Sequence, residues 1–303
     1  MGVIQDWQEP WEPNDFLLDS IASIERQFAN GTDTEERYHI NMAITNAIRK
    51  ECDKVRYHCG QLKPDADTHN KAEALLAMGR VHVIENKMDE ALALYEQSWE
   101  MDNEMEMATT EGGQIYLELQ RYKEALVMFQ RSLVLDPECD FICNFAGQAA
   151  AGVEDYPLAL EYFTKAIEYD EDEDDKAQNE YFIGLCYDRM GDFYRALHHY
   201  SLCLDADPLF GEALGNMASL YYNHEGDVQT ALTYLKKTEP VALETKNGPL
   251  LQLVYMNLSQ LYNKIKDFEK HEYYKQKLLE SVGLGFMLES SDGEDEDGYE
   301  DAE

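Results

Sequence analysis

The chain has 303 residues, of which 61 are acidic and 25 are basic, so its formal net charge at neutral pH is -36. This charge argues against direct binding of nucleic acid or of an anionic membrane, because phosphate groups are recognised by clustered Lys and Arg. It favours basic partners, although an acidic surface also serves plain solubility. We therefore expect no nucleic acid and no membrane among the partners.

The first segment, residues 1–15, begins MGVIQDWQEPWEP and is rich in Pro, Trp and acid. It has no basic stretch and no apolar core, so we do not expect a secretory signal. Two interpretations stay open: Trp7 and Trp11 dock on the first helix, or the loose segment engages another chain. None of the six cysteines forms a CxxC pair, which predicts free thiols in a reducing compartment and hence a cytoplasmic location.

Residues 16–70 predict an N-terminal helical cap. Apolar residues at helical spacing mark a first helix from Asp15 to Phe28, and the glycine at Gly31 ends it. The same spacing predicts one long second helix from Thr34 to Gln61. This pair lacks the repeated pattern that begins at residue 71, so we expect a cap or a degenerate repeat.

From residue 71 onward, small and aromatic residues recur with a nearly constant period. Ala91, Ala125 and Ala159 are each 34 residues apart, and Ala196 and Ala231 follow after 37 and 35 residues. Each of the first four alanines has a glycine twelve residues before it and an aromatic residue four residues after it. These are Gly79, Gly113, Gly147 and Gly184, with Tyr95, Phe129, Phe163 and Tyr200. Small residues let two helix backbones approach, and the aromatic ring fills the space beside them.

The stretch from Gly113 to Pro137, GQIYLELQRYKEALVMFQRSLVLDP, shows this pattern most clearly. It predicts two amphipathic helices with a short polar turn, and Pro137 ends the second because it has no N–H to donate. The pattern resembles the tetratricopeptide repeat (TPR), and the resemblance covers about residues 71–281. It implies an all-α fold, a right-handed α-solenoid of about six TPR-type helix pairs. The units lie near 71–104, 105–138, 139–172, 176–209, 210–243 and 250–281.

Acidic residues are concentrated in one loop and at the C-terminus. Asp170–Asp175 is a run of six acids, but it has Asp175 and Tyr181 where an EF-hand needs Gly and Glu, so we expect a solvated loop. Residues 282–303 combine an apolar segment, Val282–Leu288, with a tail in which nine of fifteen residues are acidic. Self-repulsion predicts a disordered tail. One hypothesis places Val282–Leu288 in the binding groove as an internal pseudo-ligand.

A search for catalytic and metal-binding arrangements finds none that is convincing. His198 and His199 are adjacent, and neighbouring helical residues point about 100° apart. Cys139 and Cys143 share a helical face, but no second ligand pair follows at zinc spacing. The chain has no HExxH, GxSxG or phosphate-binding glycine loop. We expect no enzyme activity, no catalytic residue, no cofactor and no metal.

In the family that the chain resembles, the first helices of the pairs line a concave groove that binds a protein or an extended peptide. The resemblance assigns ten residues to this groove: Arg80, Gln114, Asn144, Gln148, Tyr181, Asp188, Arg189, Asn223, Gln260 and Asn263. Amides and tyrosines suit a peptide backbone, which offers both donors and acceptors. The alternative is that each of these side chains merely solvates a concave face.

The resemblance also indicates which partners to expect. Leu76 and Thr110 stand where family members that grip the C-terminal tails of heat-shock chaperones need a Lys or another polar clamp residue, so we expect no such binding. The leading prediction is a non-enzymatic interaction scaffold or adaptor for a protein or peptide. The alternative is an acidic escort chaperone for a basic protein, such as a histone or a ribosomal protein.

Overall fold

The computed structural model describes residues 15–170 and 175–282, with side chains from residue 20 onward. All regular structure in these ranges is helical, which confirms the all-α prediction. The predictions for the N-terminal segment, for the acidic residues 171–174 and for residues 283–303 lie outside the described residues.

The chain forms two compact units, Met1–Glu171 and Asp172–Glu303, called here the N-terminal and the C-terminal unit. The helices of the N-terminal unit are α1 (Asp15–Ala29), α2 (Glu35–Ile48), α3 (Cys52–Cys59), α4 (Thr68–Ile84), α5 (Met88–Met101), α6 (Glu106–Glu118), α7 (Tyr122–Leu135), α8 (Asp140–Gly152) and α9 (Tyr156–Tyr169). Those of the C-terminal unit are α10 (Lys176–Arg189), α11 (Phe193–Ala206), α12 (Gly211–Leu220), α13 (Val228–Glu244), α14 (Gly248–Lys264) and α15 (Phe268–Ser281). Successive helices pack in pairs, from α4 with α5 to α14 with α15.

The predicted single helix from Thr34 to Gln61 is wrong, because the structure has two helices, α2 and α3, in its place. The break falls at Lys50, whose φ of 58° is left-handed, and a right-handed helix cannot continue through such a residue. The break lets Val55 of α3 join Ala43 of α2 and Val81 of α4 in one buried cluster. A periodicity of apolar residues does not detect a single residue of reversed handedness.

The predicted contacts between glycines and aromatic rings are present in four helix pairs. A Cβ placed on Gly79 would lie 2.3 Å from Cε1 of Tyr95, and one on Gly113 would lie 2.7 Å from Cε1 of Phe129. Gly147 and Gly184 meet their rings, Phe163 and Tyr200, in the same way, at 2.7 and 2.6 Å. All four rings are fully buried. Backbone and ring therefore touch in each pair, as the spacing predicts.

Each turn inside a TPR-type pair contains one residue with a left-handed backbone. These residues are Asn86, Gln120, Glu154, Gly191, Gly226 and Lys266, with φ between 58° and 78°. In five of the six turns the next residue donates its N–H to a carbonyl five positions earlier, as Arg121 does to Tyr116 at 2.8 Å. This bond closes the helix end in the manner of a Schellman motif. After Gly226, Asp227 donates instead to the carbonyl of Tyr221, six positions earlier.

The last two pairs depart from the regular pattern. The extra residue in the turn of the fifth pair is absorbed by a π-helical turn, Tyr221–Glu225, which follows α12 directly. In the sixth pair, His271 replaces the expected alanine, and its Nδ1 lies 3.0 Å from Oγ of Ser259 on the facing helix. The final helix, α15, has no buried residue. Such a polar outer face is typical of a helix that ends a repeat array.

Candidate functional site

Four of the ten predicted groove residues lie in the N-terminal unit, and Arg80 is the most constrained of them. Arg80 is on α4 with a relative exposure of 3%, and its Nε bonds the two carboxylate oxygens of Glu111 on α6 at 3.0 and 3.1 Å. The Tyr95 hydroxyl donates to the same carboxylate at 3.0 Å. These three side chains thus hold α4, α5 and α6 together. The guanidinium of Arg80 is already bound to Glu111 inside the unit.

The ionisation of this buried group follows from its geometry. Burial lowers the pKa of Arg80, but the charge of Glu111 and the hydrogen bonds to it outweigh this effect, so the pKa is raised. The pKa of Tyr95 is also raised, first by burial and then by the negative charge of Glu111. Arg80 is therefore a charged structural partner of Glu111, and Tyr95 is a neutral donor to it.

Gln114, the second predicted residue, lines a cleft of about 380 Å³ between α6 and the beginning of α8. We call it the α6–α8 cleft. Its other lining residues that matter here are Glu106, Met107, Asp136, Phe141 and Ile142. Met107 and Phe141 are large apolar residues that remain 49% and 43% exposed. Within the described part of the chain, neither Glu106 nor Asp136 forms an ion pair with a basic side chain.

The repeat itself builds this cleft. Met107 and Phe141 are 34 residues apart, so they hold the same position at the beginning of successive first helices. Asp136 and Pro137 separate α7 from α8, because the backbone of Asp136 leaves the helical conformation at φ -128° and ψ 88°. Met107, Phe141 and Asp136 are not among the ten predicted groove residues. An exposed apolar residue that recurs at the repeat period is the signal that could have found them.

The remaining predicted residues of the N-terminal unit, Asn144 and Gln148, lie one turn apart on α8. Gln148 Nε2 donates to Oδ1 of Asn144 at 2.6 Å. Cys139, at the beginning of α8, also borders the α6–α8 cleft, and burial raises the pKa of its thiol. A raised pKa keeps the thiol protonated at neutral pH and therefore a poor nucleophile.

The other six predicted residues lie in the C-terminal unit: Tyr181, Asp188, Arg189, Asn223, Gln260 and Asn263. Tyr181 is half-buried, with its ring centroid 5.0 Å from that of Phe210, and burial raises the pKa of its hydroxyl. Burial also raises the pKa of Asp188, which is half-buried, whereas Arg189 is exposed. Tyr181 thus belongs largely to the packing of α10 against α11 and α12.

The structure brings two of these six residues together in one small cleft. Asn223 of the π-helical turn and Gln260 of α14 line a space of about 120 Å³, with Tyr222 beside them. Asn263 is exposed near the end of the same helix. The predicted residues thus fall into separate local groups, on the first helices of the pairs and, for Asn223, in the π-helical turn that follows α12.

Two further features of the described residues bear on function. Within residues 15–170 and 175–282, no three His, Cys, Asp or Glu side chains come together in a way that could hold a metal ion. His199 instead lies 2.7 Å from a carboxylate oxygen of Glu180. Across the same ranges, no helix has both the length and the apolar character needed to cross a bilayer.

Comparison with known proteins gives the following matches. A family model described as "Tetratricopeptide repeat" matches residues 113–139 and 181–208, and no curated protein matches the chain. The C-terminal part of a TPR repeat-containing protein from Cytophaga hutchinsonii is 15% identical, with a TM-score of 0.62 over 85% of this chain and 100% of that one. PilW, a type IV pilus biogenesis factor, is 20% identical, with a TM-score of 0.58 over 72% and 98%. PilF of Pseudomonas aeruginosa is 16% identical, with a TM-score of 0.55 over 74% and 100%. At these identities the likeness shows the fold.

Proposed function

We propose that this chain, whose helix pairs are of the tetratricopeptide-repeat type, is a non-enzymatic scaffold that binds an extended segment of a partner protein in the α6–α8 cleft. Stacked helix pairs of this kind offer extended surfaces for protein contacts. The partner segment in this proposal carries a basic side chain next to an apolar one.

The observation that carries the proposal is the combination of exposed apolar residues with carboxylates that have no basic partner. Met107 and Phe141 would lose contact with water on binding, and burying such side chains fully is worth about 1.5–3 kcal/mol each. Asp136 and Glu106 stand beside them and would pair with Lys or Arg. The amide of Gln114, in the same lining, suits the donors and acceptors of a peptide backbone.

The proposal is tested by selecting phage-displayed random peptides on the purified full chain. We expect enrichment of sequences in which Lys or Arg stands next to Leu, Ile or Phe. Fluorescence anisotropy then measures the affinity of a selected peptide for variants of the chain. Phe141→Ser and Asp136→Lys are each expected to weaken binding about tenfold, the effect of a well-placed contact residue.

Two control variants make the same chemical changes outside the cleft. Val134→Ser removes an apolar side chain that is 77% exposed on α7, and Glu168→Lys reverses an exposed charge on α9. Both are expected to leave the affinity unchanged. Peptides that bind the two cleft variants as tightly as the unmodified chain would rule out the α6–α8 cleft as their site.

A second candidate function, the escort of a basic protein such as a histone or a ribosomal protein, is favoured by the net charge of -36. It predicts binding of fluorescent polylysine that falls steeply as salt rises, because exposed charges are screened within about 10 Å at 0.1 M salt. It also predicts that Phe141→Ser leaves polylysine binding unchanged. Salt-resistant binding of the selected peptides, together with weak binding of polylysine, would favour the cleft over the escort.

The cytoplasm is the location that we propose, on the evidence of the thiols. All six cysteines are free, and Cys143, Cys186 and Cys203 are buried. Reduced thiols are the usual state of cysteines in the cytosol. Fractionation of the host cell tests this location, and a protein recovered with its cysteines oxidised outside the cytosol would contradict it.

A further inference from the structure

The C-terminal unit has a second cleft, of about 670 Å³, on the side of α11 and α13. We call it the lysine cleft. Its apolar lining includes Leu204, Leu209 and Met217, and Leu209 remains 58% exposed. Its polar lining includes Lys236 and Lys237 of α13. The cleft thus pairs an apolar floor with two cations.

These two lysines are unusual in so acidic a chain. Both side chains are exposed, and within the described residues neither forms an ion pair with a carboxylate. Lys236 lies over the ring of Tyr262 at 5.8 Å, and Lys237 lies over the ring of Tyr234 at 5.5 Å. Asp205 and Glu244 are the two acidic residues of the lining. The cleft is therefore close to neutral, whereas the whole chain carries 61 acidic and 25 basic residues.

Pro240 leaves one backbone carbonyl of α13 without its usual helical donor. Pro240 lies inside α13 and also lines the cleft. A proline has no N–H, so the carbonyl of Lys236 receives no helical hydrogen bond from position 240. A segment that entered the cleft in an extended conformation could donate a backbone N–H at this point.

We propose that the lysine cleft binds the chain's own C-terminal segment, residues 283–303. This goes beyond the proposed function, because it concerns a different cleft and a different occupant. The segment continues the apolar run Val282–Leu288 and then becomes strongly acidic, with nine carboxylates in its last fifteen residues. Its apolar part matches Leu204 and Leu209, and its acidic part matches Lys236 and Lys237.

The path of the chain places the beginning of this segment near the cleft. Nζ of Lys277, in the last turns of α15, lies 3.0 Å from Oε1 of Glu239, the residue that precedes Pro240. The carbonyl of Ser281 accepts a hydrogen bond of 3.2 Å from Gln252. The end of α15 therefore runs beside the part of α13 that forms the cleft wall. A segment of this length can span up to about 70 Å when extended, so reach is not limiting.

The first test is zero-length carbodiimide cross-linking of the full chain, followed by mass spectrometry. This reagent joins a lysine amine to a carboxylate in direct contact with it. We expect peptides that join Lys236 or Lys237 to acids of residues 289–303, at several times the yield for Lys123 and Lys266, which are exposed elsewhere. A mixture of isotopically light and heavy chains identifies the occupant. Links within one chain join only segments of the same label, so light–heavy links at the proportion expected for random pairing would overturn the proposal in favour of a second copy. Equal yields at all four lysines would exclude the lysine cleft as the binding site.

The second test uses a fluorescent synthetic peptide of residues 283–303 as the probe. We expect it to bind the chain truncated after Val282 and to bind the full chain at least about tenfold more weakly, since the tethered segment competes for the cleft. Lys236→Glu with Lys237→Glu, and separately Leu209→Asp, should weaken binding to the truncated chain about tenfold.

Two outcomes of the peptide experiment would decide against the proposal. The matched variant Lys123→Glu with Lys266→Glu makes the same charge change away from the cleft, and it should leave the affinity unchanged. An equal loss of affinity in both double variants would show that the peptide responds to overall charge, and it would exclude the lysine cleft as the binding site. If the peptide bound the truncated and the full chain equally well, the tethered segment would not occupy the lysine cleft. Neither result depends on the α6–α8 cleft, so failure here leaves the proposed function untouched.

Discussion

Tyr122, the first residue of α7, lies directly over Gly152, the last residue of α8. A Cβ on Gly152 would lie 2.3 Å from Cγ of Tyr122 and 2.4 Å from its Cδ1. This contact joins the second and third TPR-type pairs. It complements the contacts inside each pair, where Gly113 and Gly147 face rings of their own second helices.

Gly152→Ala is accordingly expected to destabilise the N-terminal unit by about 1–3 kcal/mol, because the added methyl group must displace the ring. Gly215→Ala, in the interior of α12, is the control, since its Cβ would meet its nearest neighbour at an ordinary 3.8 Å. There the better helix propensity of alanine should be neutral or stabilising by up to about 1 kcal/mol. Urea unfolding followed by circular dichroism measures both changes. Equal effects of the two substitutions would contradict the packing argument.

Breaking the buried pair of Arg80 and Glu111 should be among the most destabilising single changes. Glu111→Gln leaves a guanidinium that is only 3% exposed without its counter-ion, at a cost of about 3–5 kcal/mol. Removing both charges, with Arg80→Met and Glu111→Leu, should restore most of that loss. Glu161→Gln, which breaks the exposed pair with Lys165, should cost less than about 1 kcal/mol. A double variant that is no more stable than Glu111→Gln would count against this account.

The stability of the N-terminal cap should fall as the solution becomes acidic. Nδ1 of His39 lies 2.9 Å from Nδ1 of His58, and such a hydrogen bond needs one neutral ring as acceptor. Burial lowers the pKa of both histidines below their ordinary value near 6.5, and their proximity lowers that of His58 further. The unfolded chain then binds more protons than the folded chain once the pH falls through 6.5. The free energy of unfolding therefore decreases as the pH falls from 6.5 to the lower pKa values that the two histidines have in the folded chain.

Urea unfolding at stepped pH values from about 8 to 5 tests this, with circular dichroism as the readout. His58→Gln should flatten the loss of stability on acidification. His69 makes the opposite contribution, because its hydrogen bond to Asp102 raises its pKa, so it stabilises the fold at low pH. His69→Gln should therefore steepen the loss. An unchanged slope in His58→Gln would exclude the histidine pair as the cause.

Pro240 and Pro157, two of the three prolines within the described helices, should respond oppositely to replacement by alanine. Pro240 is exposed in the interior of α13, where alanine restores a backbone hydrogen bond, so Pro240→Ala should stabilise the C-terminal unit by about 1–3 kcal/mol. Pro157 lies in the first turn of α9, where its fixed φ is favourable, so Pro157→Ala should be neutral or cost up to about 1 kcal/mol. Thermal unfolding measures both changes. Destabilisation by Pro240→Ala would contradict this prediction, because it would show that the packing of α13 depends on the proline ring.

The repeat architecture could be predicted because its cause is local in the sequence. Gly113 and Phe129 are sixteen residues apart, and both belong to one helical hairpin whose packing needs that spacing. The break at Lys50 could not be predicted in this way. One left-handed residue ends α2, and it leaves the apolar periodicity on both sides intact.

The candidate site was harder to predict, because it depends on contacts between hairpins. Arg80 has the position of a groove residue, but its partner Glu111 is 31 residues away on the next pair. In the sequence, Met107 and Phe141 cannot be distinguished from the apolar repeat residues that are buried. Only the structure shows that they stay exposed beside Asp136. Membership of a first helix is thus predictable, whereas availability to a ligand depends on the neighbouring pair.

The left-handed turn residues have a consequence for how this chain can be adapted. Asn86, Gln120, Glu154 and Lys266 adopt a conformation that costs roughly 1–2 kcal/mol for a residue with a Cβ, and glycine avoids that cost. The shape of these turns is therefore imposed by the helices that they join. Since each pair supports mainly its neighbours, a glycine at one turn would raise thermal tolerance locally. The thermal stability of individual helix pairs could thus be raised one turn at a time, without changing any residue of the packed faces, the α6–α8 cleft or the lysine cleft.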